Sequence, residues 1–141
     1  MKILLAVDGS VYSTKAAKHV ATNLNWFQGD SEIHLLYVQT AIPVARARAA
    51  LGKEAVDNYY REESQAALAP TEKILRKKEI PFRSSFVVGD IAEQIQSYVK
   101  KNKINLLVMG TRGHGAFRNL VMGSVATKVL AETTVPVLLI R

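Results

Sequence analysis

Cysteine is absent from the chain, which excludes disulfides, thiolate metal sites and cysteine nucleophiles and fits a reducing compartment. Long apolar runs are absent too. Ile3 to Val7 is too short for a signal peptide or a membrane span and has no small-residue cleavage site after it. The expected compartment is therefore the cytoplasm, with no membrane contact. Aromatic residues make up only 7% of the chain, and no aromatic platform interleaves the basic residues. Nucleic acid is thus not the expected partner, despite a net charge of +7. The basic groups at Arg46 and Arg48, Lys73 to Lys78 and Lys100 to Lys103 read as solvated helix faces. Arg112, His114 and Arg118 differ, because they sit inside a glycine-rich segment where a positive field would attract polyanionic phosphate. Internal repeats and low-complexity tracts are also missing, and 141 residues suit one domain, 1–141, with a single core.

Short apolar runs alternate with amphipathic segments, the pattern of a parallel sheet covered by helices on both faces. Strands are expected at Lys2 to Val7, Glu32 to Val38, Phe82 to Val88, Leu106 to Met109 and Val135 to Ile140. The first helix is expected from about Tyr12 to Leu24, with Ser10 or Ser13 as N-cap and Ala16, Ala17, Val20, Ala21 and Leu24 on one face. The insert from Gln39 to Ile80 reads as loop in its first part, marked by Pro43 and Gly52. Its second part reads as helix kinked or split at Pro70. A further helix opens at Asp90, with Glu93 three residues on, and buries Ile91, Ala92, Ile95 and Val99. The last begins near Gly123-Ser124 and is expected to carry Val125, Val129 and Leu130 inward. Five strands with helical crossovers favour an α/β doubly wound parallel sheet of order 3-2-1-4-5 over a closed barrel.

That order has a switch point between the first and fourth strands, where ligands collect off the carboxyl ends. Asp8-Gly9-Ser10 leave the first strand there, and Gly110-Thr111-Arg112-Gly113 leave the fourth. A strand, a glycine-rich loop and a helix start can together cradle an anion: glycine admits close backbone approach, and helix-start amides supply free donors and a positive dipole end. No Gly-Lys-Ser/Thr closes the loop and no dinucleotide fingerprint follows the first strand, so the cradle is of neither kind. Each residue also has a plainer role. Asp8 serves as a turn or cap residue, the glycines as turn formers, Ser124 as an N-cap, and Ala6 and Val38 as strand core. His114 reads as an exposed loop residue rather than a general base, and Asp90 as a helix cap.

The run from Gly110 through Gly113 to Gly123-Ser124 has the form G-x2-G-x9-G-S and resembles the nucleotide-binding signature of the universal stress protein family. The resemblance extends from Ile3–Ser10 to Val135–Ile140. With all fixed positions present, it implies the branch that binds ATP. By that resemblance Asp8 meets the ribose or phosphate end and helps organise a metal, Mg2+ or Mn2+, since a carboxylate beside phosphates needs a cation between them. Ser124 and the amide of Val125 hold phosphate oxygens, and Arg112 contacts phosphate. The main chain of Val38 reads the adenine edge with Ala6 nearby, although the family often has proline where Ala6 stands. It also implies a homodimer paired through Val135 to Ile140, which would close an exposed edge strand. Pro136 and Arg141 blunting that edge in a monomer is the plainer alternative. The function implied is a nucleotide-responsive binding module with an unknown protein partner and little or no turnover, so no catalytic residue is assigned. A slow ATPase or phosphotransferase, and a nucleotide-free partner-binding protein, are the rivals.

Overall fold

The computed structural model describes residues 1–27, 29–114 and 122–141; Arg118 and the side chains of Arg46 and Arg48 lie outside the described residues. Five parallel strands, β1 (Lys2–Val7), β2 (Glu32–Gln39), β3 (Phe82–Val88), β4 (Leu106–Gly110) and β5 (Val137–Ile140), form one sheet of order β3-β2-β1-β4-β5. Among the described residues, four helices join them, α1 (Val11–Thr22), α2 (Val44–Lys77), α3 (Ile91–Asn102) and α4 (Ser124–Glu132).

The strand period of two sorts the core into two layers. Ile3, Leu5, Ile33, Leu35 and Val108 pack against Ala16, Ala17 and Val20 of α1 and Leu68 and Leu75 of α2. Leu4, Leu36, Val38, Leu107 and Met109 pack on the other face against Ala92, Ile95 and Val99 of α3 and Ala126 and Val129 of α4. Because each helix follows a strand, α1, α3 and α4 all begin at the carboxyl edge of the sheet.

Several local expectations are corrected. The insert is helical from Val44, and its break falls at Gly52 (φ 79°) rather than Pro70. The run from Val44 to Leu51 is alanine-rich and favours helix, whereas the positive φ that breaks it suits glycine. Pro70 costs about 3 kcal/mol in a helix interior, but the segment around it buries Ala67, Leu68, Thr71 and Leu75 and holds its shape. Helix α1 ends at Thr22, and Leu24 belongs to a 3-10 turn, Leu24–Trp26. In α4, Val125 and Leu130 are 37% and 36% exposed while Ala126 and Val129 are 3% and 0%. Small Ala126 lies one turn before Val129 and occupies the inward stripe that its larger neighbours were expected to fill. Gly123, not Ser124, is the N-cap of that helix, with no side-chain cap bond.

β5 begins at Val137, two residues later than expected. The carbonyls of Pro136 and Ile140 accept from Leu107 N–H and Thr111 N–H at 3.0 and 2.9 Å. Residues 136, 138 and 140 therefore face β4, and the polar backbone groups of Val137 and Leu139 face the open edge. The backbone of exposed Pro136 therefore faces β4, and its missing N–H is not on the open edge.

Candidate functional site

The loops leaving β1 and β4 open into a crevice of about 660 Å3 at the switch point. Ala6, Asp8, Val38, Gly110, Arg112, Gly113, Gly123, Ser124 and Val125 all line it, so every expected site residue reaches one place. Leu36, Ile91, Ile95 and Ala126 supply apolar wall, and Tyr37, Gln39, Thr40, Ser13, Thr111 and His114 add polar groups. A smaller hollow of about 270 Å3 adjoins it, sharing Thr40, Ile91, Ser124 and Val125 and bounded by Asp90 and Lys128.

Asp8 organises the β1 side. Its Oδ1 accepts from Ser10 N–H at 2.9 Å and from the Ser13 hydroxyl at 2.6 Å, while Ser13 Oγ accepts from Asp8 N–H at 2.9 Å. Ser10 caps α1 by accepting from Ser13 N–H. Oδ1 thus serves the turn beside the cap, and among the described residues Oδ2 accepts no hydrogen bond.

Two motif glycines lie tightly against other parts of the protein. A Cβ at Gly110 would come within 2.6 Å of Tyr12 Cβ, and one at Gly113 would collide with Asp8 Oδ2. Gly113 therefore lets the carboxylate sit against the loop, whereas the sequence suggested close approach of phosphate. Gly123 is different. Among the described residues, a Cβ there meets nothing nearer than Thr111 O at 3.5 Å, which is ordinary contact.

Arg112 reaches the crevice alongside Tyr12, with its guanidinium carbon 5.9 Å from the ring centre and Nη1 donating to the phenol oxygen at 3.4 Å. His114 is exposed, as expected, but not free: its Nε2 lies 2.9 Å from the carbonyl oxygen of Asp8. On the β2 side, burial first and then the charge of Glu63 push the Tyr37 phenol up, so it stays protonated. It donates to Gln39 Oε1 at 2.7 Å. Asp90 caps α3 as expected, accepting from Glu93 N–H, and binds Lys128 with both oxygens at 3.0 Å. The amide donor and the lysine hold its carboxyl below the usual range.

Several lining residues were not singled out in advance. Ile91 and Ile95 read as core because a 3.6-residue stripe facing a ligand is the same stripe as one facing a sheet. Thr40 and Thr111 directly follow Gln39 and Gly110, the last residues of β2 and β4, so strand-exit position was the available signal.

The crevice suits a ligand that is apolar at one end and anionic at the other. The hydroxyl of Thr111 is buried without a partner among the described residues, Gly123 leaves room beside the first turn of α4, and Arg112 brings charge. A metal finds less. Among the described residues no group of three metal-ligating side chains occurs, and Asp8 is the one carboxylate among the described lining residues. One carboxylate oxygen fits a cation that arrives with phosphate oxygens as its other ligands, the habit of Mg2+.

No described helix is long and apolar enough to cross a membrane. The chain is 31% identical to the universal stress protein MJ0531 of Methanocaldococcus jannaschii over 140 residues, covering 99% of this chain and 81% of that one. Among solved structures, the hypothetical protein MJ0577 superposes with a TM-score of 0.80 at 24% identity, covering 99% and 94% of the two chains. An Arabidopsis thaliana universal stress protein family member with AMP bound has a TM-score of 0.69 at 19% identity, covering 99% and 90%. Further relatives of the same fold were solved with cAMP and, from Archaeoglobus fulgidus, with dAMP, at TM-scores of 0.69 and 0.68. At these identities the structural likenesses establish the fold. The profile of the universal stress protein family, however, matches residues 1–141 from end to end, and with the five-stranded order and the motif residues gathered in one crevice, the chain belongs to that family.

Proposed function

We propose that the crevice binds ATP together with a divalent cation, and that the protein is a cytoplasmic, homodimeric, nucleotide-responsive binding module of the stress response. The observation that carries this is the convergence of Asp8, Arg112, Ser124 and the motif glycines on one cavity with an apolar wall. The AMP, cAMP and dAMP complexes of proteins with the same fold support an adenine ligand. In this reading the base lies along Val38 and Ala6, with Val38 main-chain groups at its edge. Phosphates meet the first turn of α4 at Ser124 and Val125, where uncommitted amides and the helix dipole favour anions, with Arg112 alongside. Asp8 Oδ2 meets the ribose or a phosphate-bound Mg2+ or Mn2+, which supplies charge neutralisation when present.

Binding rather than turnover is favoured by the use of Asp8. Hydrolysis needs a positioned water, a base and transition-state cations, and Asp8 Oδ1 is already committed to Ser10 and Ser13. The homodimer reading rests on β5, whose open edge presents the backbone of Val137 and Leu139 unblocked by Pro136. Pairing through 135–140 would cover it.

Calorimetric titration with ATP and Mg2+, together with mass spectrometry of any small molecule that accompanies the purified protein, tests the reading. Heat with ATP and an adenine nucleotide in the mass spectrum is the expected result. Absence of both for the wild-type protein overturns it, and phosphate release abolished by Asp8→Ala would make the protein a slow ATPase instead.

A further inference from the structure

The β1–β4 ladder ends at Ala6 and Met109, and the chain beyond it must find other supports. On the far side Thr111 N–H donates to Ile140 O at 2.9 Å, and Thr111 O accepts from Gly123 N–H at 2.8 Å. Those bonds tie the loop to β5 and to the start of α4. Toward β1 and α1, the side-chain hydrogen bonds that cross among the described residues are the one from the His114 imidazole to Asp8 O, at 2.9 Å, and a longer one from Arg112 Nη1 to the Tyr12 hydroxyl, at 3.4 Å; the His114 bond alone reaches the main chain of β1's exit. It lies next to the place where Gly113 presses on the Asp8 carboxylate.

We infer that His114 is a positioning residue: by donating from Nε2 to the Asp8 carbonyl it clasps the segment Thr111–His114 onto the exit of β1, and so holds the phosphate end of the crevice in its receiving shape before ligand arrives. This rests on the nucleotide reading for its consequence, but not for its geometry. A carbonyl can only accept, so the imidazole carries its proton on Nε2 in this bond. The clasp joins the loop to the same residue whose carboxylate anchors the cap of α1, so Asp8 is gripped from both sides of the switch point. A loop already ordered is not ordered at the expense of binding energy, which is how pre-organisation raises affinity without adding a ligand contact.

The side-chain chemistry supplies its own control. Glutamine places an amide N–H the same number of bonds from Cβ as Nε2 of histidine, whereas asparagine falls one bond short. The test compares wild type, His114→Gln, His114→Asn and His114→Ala by calorimetry with MgATP and with adenosine, which lacks phosphate. Loss of one net hydrogen bond should weaken MgATP by about three- to tenfold in the Asn and Ala variants. Adenosine affinity should be unchanged, the melting temperature should fall by only about 3 °C in the Asn and Ala variants, and His114→Gln should restore MgATP binding. Equal MgATP binding by His114→Ala and wild type overturns the proposal. So does a Gln variant as weak as the Ala variant, which would mean that the imidazole acts on the ligand itself. Amide hydrogen exchange of residues 111–114 in ligand-free protein separates the two readings: slow exchange in wild type and Gln but fast exchange in Ala supports the clasp even if no nucleotide binds. Identical exchange in all three removes it.

Discussion

The motif glycines provide the sharpest test of how the crevice is built, because Gly113 and Gly123 look alike in the sequence and differ in their surroundings. An alanine methyl at 113 would occupy the position of Asp8 Oδ2, so the carboxylate or the loop must move. Moving the carboxylate gives up one of the two bonds that Oδ1 accepts from Ser10 N–H and Ser13 O–H, and a bond to a charged group is worth about 1.5–3 kcal/mol. A domain of this size loses about 3 °C of melting temperature per kcal/mol. Gly113→Ala should therefore lower the melting temperature of ligand-free protein by about 5–9 °C. At Gly123 the backbone is at φ −76°, which any residue adopts, and among the described residues the nearest neighbour of an added methyl is 3.5 Å away. Alanine is a poorer N-cap than glycine by some tenths of a kcal/mol, but it also restricts the unfolded chain, and the two effects oppose each other. Gly123→Ala should thus melt within about 3 °C of wild type. Its methyl would still intrude beside the first turn of α4, so MgATP affinity should fall about tenfold or more, on the scale of overpacking a filled site. Differential scanning calorimetry without ligand and titration with MgATP read the two effects separately. A Gly113→Ala variant that melts with wild type, or a Gly123→Ala variant that melts as low as Gly113→Ala was expected to, would refute the reasoning.

Other outcomes follow from the same geometry. Asp8→Asn keeps an oxygen for Ser10 and Ser13 but removes the charge, so Mg2+ should cease to strengthen ATP binding; Mg2+ without nucleotide should give no heat even with wild type. Burial depresses the pKa of His34, which is 2% exposed, although Glu32 beside it pulls the other way. A buried imidazole that resists protonation makes the unfolded chain the stronger proton binder below its ordinary value of 6.5. Stability is then complete above that pH and declines as pH falls through it toward the lower folded value; urea midpoints at pH 8 and pH 5.5 should differ, and less so in His34→Gln. Leu139→Pro removes an N–H from the open edge of β5 without touching the ladder to β4. It should halve the mass seen by sedimentation if the dimer pairs there, and an unchanged mass would place any dimer elsewhere.

The α/β class, the strand order and the location of the crevice were legible in the sequence because they depend on period and punctuation. Apolar strands bounded by turn residues, such as Ile3 to Val7 before Asp8-Gly9-Ser10, report local structure that a linear pattern contains. The motif from Gly110 to Ser124 likewise pointed to the right edge of the sheet. Tertiary structure decided the rest. Whether Pro70 breaks its helix depends on Leu68 and Leu75 being buried against α1 and the sheet, and whether Val125 or Ala126 faces the core depends on where α4 docks. Why Gly113 must be glycine depends on Asp8, over a hundred residues away, and the bond from His114 to that same residue has no trace in either local pattern. Contacts between distant parts of the chain come into being only when the sheet brings β1 and β4 side by side, so composition and spacing define the crevice while packing alone determines what each residue in it touches.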